Sequence, residues 1–119
     1  MAIKPKALYT VQLAVIAALV DGEASQPERD AITQKVSEHF RVDADEVSRV
    51  ATLLIEQYQE RNINSSPSVA LHFALKSLSN LPLFDRPTAF RIAEEVIESG
   101  GKDQTEIGFL ARLKTFSCV

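Results

Sequence analysis

The run from Lys6 to Glu28 joins an apolar helix to a capped turn. It reads Lys6-Ala7-Leu8-Tyr9-Thr10-Val11-Gln12-Leu13-Ala14-Val15-Ile16-Ala17-Ala18-Leu19-Val20, then Asp21-Gly22-Glu23-Ala24-Ser25-Gln26-Pro27-Glu28. In the first part Leu8, Val11, Val15 and Leu19 fall on one helical stripe and Tyr9, Leu13, Ile16 and Val20 on another, with alanines filling much of the rest. The spacing has the period of a helix, and a helix that is apolar nearly all round belongs in the middle of a bundle, where neighbours cover every side. Gly22 then suits the left-handed position that ends a helix. Ser25 followed three residues later by Glu28 reads as a capping box that opens the next one.

Apolar residues recur at helical spacing in five further segments, and no clean period-2 alternation appears. Residues 26–39 carry only Ile32, Val36 and the adjoining Phe40 among many charges and read as an outer helix. Residues 44–60 offer Val47, Val50, Ala51, Leu54 and Tyr58. The turn formers from Arg61 to Pro67 mark a midpoint linker. Beyond it, residues 67–80 present Leu71, Ala74, Leu75 and Leu78, and residues 86–99 present Ala89, Ile92, Ala93, Val96 and Ile97, a second candidate for a central helix. Residues 104–116 present Ile107, Leu110, Leu113 and Phe116. The expected fold is all-α, and 119 residues suit one domain, 1–119.

Composition removes several function classes. The net charge of −3 argues against nucleic-acid binding, which needs a basic face toward phosphate. The single cysteine, Cys118, rules out an intramolecular disulfide, a redox pair and a cysteine-built zinc site. Lys4 and Lys6 before the run Leu13 to Val20 imitate a secretory signal. Asp21 and Glu23, however, stand where small residues should precede cleavage, and eight apolar residues fall short of the roughly 18 that span a bilayer. The expectation is a cytoplasmic protein without a membrane span.

Two junctions look alike. Shifting the chain by 78 positions lays Asp21 to Glu28 over Ser99 to Glu106, with three of eight residues identical. Both places have an apolar helix, a glycine at its exit (Gly22, Gly100), a capping residue and a glutamate three later (Ser25 with Glu28, Asp103 with Glu106). Asp43 and Glu46 form a third such pair without the glycine. The pattern suggests a duplicated three-helix unit, with repeat one at about 1–62 and repeat two at about 66–119. Residues 1–62 hold 7 basic and 10 acidic side chains and residues 63–119 hold 6 of each, so the net acidity lies in the first half.

The run Ile16-Ala17-Ala18-Leu19-Val20-Asp21-Gly22-Glu23-Ala24-Ser25-Gln26-Pro27-Glu28-Arg29 resembles the signature of the TerB-like family, which includes the tellurite-resistance protein TerB and the N-terminal domain of DjlA-type membrane co-chaperones. The resemblance implies a six- to seven-helix bundle of two three-helix repeats around two central helices. It also implies acidic clusters at the repeated turns proposed to hold divalent cations, no established enzymatic activity, and a place in stress or tellurite-resistance assemblies. Asp21, Glu23 and Glu28 match the first motif. Asp103 and Glu106 match the second, where Ser99 and Gly101 replace acids.

The residues themselves leave two readings of the first turn open. Ser25 and Glu28 are explained by capping alone. Asp21 is not, because a carboxylate in the last turn of a helix faces the negative end of the helix dipole, so the following helix, a basic side chain or a bound cation must offset it. Oxygen ligands of this kind suit Ca²⁺ or Mg²⁺. The turn is not an EF-hand loop, and Gly100-Gly101-Lys102-Asp103 lacks the glycine, strand and hydroxyl of a phosphate loop. His39 and His72 have no partner at ligand spacing, and Glu94, Glu95 and Glu98, with Arg91 four residues before Glu95, read as a solvated face. No nucleophile and base pair can be assembled. Phe109, Phe116 and Val119 mark the candidate surface for a protein partner or a homodimer.

Overall fold

Every expected segment forms a helix in the computed structural model, which describes residues 3–20, 22–63, 66–101 and 104–117, the side chains at 67, 116 and 117 excepted. The helices are α1 (Pro5–Leu19), α2 (Gln26–Phe40), α3 (Ala44–Glu60), α4 (Pro67–Ser79), α5 (Arg86–Ser99) and α6 (Gln104–Ser117). A 3₁₀ turn at Leu83–Asp85 joins α4 to α5, and no strand occurs among the described residues.

Local chemistry accounts for most of the boundaries. Proline stands in the first turn of α1, α2, α4 and α5, where its fixed φ suits a helix start and its missing N–H leaves no donor stranded. Ser66 caps α4, accepting from the Ser68 N–H at 3.2 Å. Asp43 stands at the N-cap of α3 but makes no side-chain capping bond, and Glu46 pairs with Arg49 at 3.3 Å, so the third expected capping pair does not form. α2 ends on Arg41 in the left-handed region at φ 54°, and the Val42 N–H returns to the Ser37 carbonyl at 3.2 Å.

α1 is the centre. Ten of its 15 residues are buried, and all five other helices pack on it. The two polar residues that interrupt its apolar run are both satisfied. Thr10 Oγ1 donates to the Lys6 carbonyl at 2.8 Å, and Gln12 Oε1 accepts from Ser77 Oγ of α4 at 3.0 Å. α5 is the most extensive partner of α1 and also packs on α2, burying the expected residues Ala89, Ile92, Ala93, Val96 and Ile97 together with Phe90. α1, α2 and α3 all pack on one another. In the second half α4 packs on α6, while α5 turns its apolar face to α1 and α2.

Two surface expectations change. α6 buries Glu106, Phe109 and Leu113, and Ile107 is 41% exposed, so its inward stripe is rotated from the expected one. Phe109 is therefore core rather than partner surface, while the Phe116 side chain and Val119 lie outside the described residues. Glu95 pairs with Lys35 of α2 at 3.2 Å rather than with Arg91 of its own helix. No described helix is long and apolar enough to cross a membrane.

Candidate functional site

The α1–α2 junction begins where α1 runs out of apolar residues. Gly22 takes φ 118°, a region that side-chain-bearing residues rarely adopt, and its N–H bonds the Leu19 carbonyl at 2.9 Å. The chain re-enters a helix through a complete capping box. Ser25 Oγ accepts from the Glu28 N–H at 3.3 Å, and Glu28 Oε1 accepts from the Ser25 N–H at 2.9 Å and from Ser25 Oγ at 3.0 Å. Arg29 Nε donates to the Ala24 carbonyl at 3.1 Å, which pins the loop from the other side.

Glu28 is only 2% exposed. Its second oxygen and side-chain carbons lie against the α5–α6 junction: a Cβ placed on Gly100 would come within 2.6 Å of Glu28 Cγ, 2.7 Å of Cδ and 2.9 Å of Oε2. Gly100 is thus required for a reason other than the expected one. Its φ is −91°, an ordinary value, and the left-handed residue of this turn is Gly101 at φ 78°. Ser99 Oγ adds a second tie, reaching the Pro27 carbonyl at 3.3 Å as well as the Val96 carbonyl of its own helix. α2 and α5 run antiparallel, so the start of one meets the end of the other, and the two junctions that resemble each other in sequence are packed together.

Among the expected ligands, Glu23 is exposed on the first loop, Glu28 is buried in its cap, and Glu106 is buried at 2% exposure in the first turn of α6. Asp21 and Asp103 lie outside the described residues. Neither Glu23 nor Glu106 is free of partners, and the same holds for Glu98. Among the described residues no group of three His, Cys, Asp or Glu side chains is arranged to hold a metal ion. His39 lies in the last turn of α2 with its ring edge-on to Phe40 at 4.8 Å, and exposed His72 stands edge-on to Phe73 at 5.8 Å.

One feature escaped the sequence reading. Beside the junctions an apolar cavity of about 240 Å³ opens between Val20, Ala70, Leu71, Gly108 and Phe109, with Arg112 also in its lining. The signal was Gly108, a glycine inside a helix with no turn to explain it, above which a Cβ would meet nothing within 4 Å. No protein-family model, curated protein or solved structure matches the chain.

Proposed function

We propose that the protein is a non-enzymatic TerB-like module of stress or tellurite-resistance assemblies, and that its working end is the pair of packed junctions, where a divalent cation such as Ca²⁺ or Mg²⁺ binds. The observation that supports this reading is the seating of Glu28, in the first turn of α2, against Gly100 at the end of α5. Asp21 and Glu23 are the proposed ligands of the first turn. Glu28 serves mainly by shaping that turn, since Oε1 is engaged by Ser25. Asp103 and Glu106 would form a weaker second set, with water and backbone carbonyls supplying the remaining oxygens. Bound metal should raise the thermal midpoint, because a ligand held only by the folded state stabilises it. A midpoint unmoved by millimolar Ca²⁺, Mg²⁺ or Mn²⁺ would remove the cation from this reading.

The completeness of the capping box favours a second reading, in which the acidic turns are structural and the domain is a cation-independent scaffold for a protein partner. In that case Asp21→Asn changes neither stability nor metal response, and partner capture depends on exposed helix faces instead.

A further inference from the structure

At a separate place on the surface, Leu83 is 77% exposed and Phe84 is 92% exposed, adjacent in the 3₁₀ turn between α4 and α5. Single exposed apolar residues are ordinary, but two large neighbours held outward on a fixed turn are not. The turn is well tied down. The Asp85 N–H bonds the Pro82 carbonyl at 2.9 Å, and Arg86 donates through Nε to the Leu81 carbonyl at 3.0 Å and through Nη2 to the Ser79 carbonyl at 3.3 Å. Lys6 pairs with Asp85 at 3.1 Å, bringing the start of α1 beside the tip.

Charge distinguishes this place from the rest of the chain. The segments that hold the tip are the start of α1, the last turn of α4, the 3₁₀ turn and the start of α5. Their charged residues are Lys4, Lys6, Lys76, Asp85 and Arg86, of which only Asp85 is acidic, in a protein whose net charge is −3. An apolar pair that protrudes rather than lining a groove, flanked by cations, is the surface chemistry that inserts at the headgroup boundary of an anionic bilayer, where the apolar and electrostatic contributions reinforce each other. We propose that the Leu83–Phe84 tip docks this protein on an anionic membrane surface, the exposed Lys4, Lys6 and Lys76 adding electrostatic attraction while Arg86 stays bonded to the carbonyls that hold the turn. Surface docking of this kind needs no membrane-spanning helix.

The test is flotation of the whole protein with vesicles of neutral phosphatidylcholine, alone or with about 30% phosphatidylserine. The expected result is binding only to the anionic vesicles, reduced by raised salt and weakened roughly tenfold or more in the doubly substituted Leu83→Ser, Phe84→Ser protein. Both side chains are exposed, so the variant should keep the wild-type helix content and melting curve. A separate Lys4→Glu, Lys76→Glu variant should lose anionic binding with the apolar tip intact. Failure to float with anionic vesicles, or equal flotation of wild type and the serine variant, would overturn the proposal. So would a wild-type dimer on size exclusion that the serine variant dissolves without any vesicle binding, which would assign the tip to a second copy of the chain.

Discussion

Gly100 is the residue at which the sequence pattern and its physical cause come apart. The pattern marks it as a left-handed helix terminator, but Gly101 fills that role and Gly100 leaves room for a carboxylate from a helix that lies 72 positions earlier. Gly100→Ala should therefore destabilise the fold by about 1–3 kcal/mol through overpacking, because Glu28 cannot retreat without leaving its capping box. In a double-mutant cycle with Glu28→Ala, followed by urea unfolding, the penalty of the added methyl should shrink by about 0.5–3 kcal/mol. Equal penalties in both backgrounds would show that Gly100 is needed for something else. Gly108 gives the opposite expectation. It sits inside α6 with open space above it, so Gly108→Ala should stabilise the protein by about 0.5–1 kcal/mol in the same assay.

Among the elements, helix identity and extent were legible because period-3.6 spacing, first-turn prolines and Ser25 with Glu28 are all local signals. Which face turned inward was legible only where the apolar stripe was unambiguous. In α6, Glu106 takes a buried position and Ile107 an exposed one, the face turned inward being the one that packs on α4 and α1, which no spacing within the helix announces. The Glu95 partner is likewise not legible within its helix, since Lys35 comes from α2. The candidate site was legible as two similar motifs, whereas the contact of Glu28 with Gly100 depends on the antiparallel packing of α2 and α5. α3 offers a pH test. Tyr58 packs near Phe73 at 6.1 Å, and burial pushes its phenol above its ordinary value near 10, with Arg61 partly offsetting the shift. The unfolded chain then ionises first as pH rises, so this part of the stability is complete below about pH 10 and fades as pH climbs through the folded-state value. Urea unfolding at about pH 8 and about pH 11 should show a smaller alkaline loss for Tyr58→Phe than for wild type.

For the molecule as a whole, the arrangement is a bundle with a Cα radius of gyration of 12.6 Å built around one helix that every other helix touches. Damage to α1 should thus be felt everywhere. Leu13→Ala empties a fully buried position and should destabilise the whole fold by about 2–5 kcal/mol, with probes at both halves of the chain unfolding together. Separate transitions for residues 1–62 and 66–119 would instead mark the halves as independent units. If the two packed junctions act as one cation-responsive end, calorimetric titration with Ca²⁺ will show it. Wild type should show saturable binding at millimolar metal or below, and Asp21→Ala should abolish it while leaving the Ser25–Glu28 cap and the melting curve in metal-free buffer close to wild type. Absence of saturable heat in the wild type, or the same isotherm in Asp21→Ala, would contradict the claim and leave the acidic turns as helix caps.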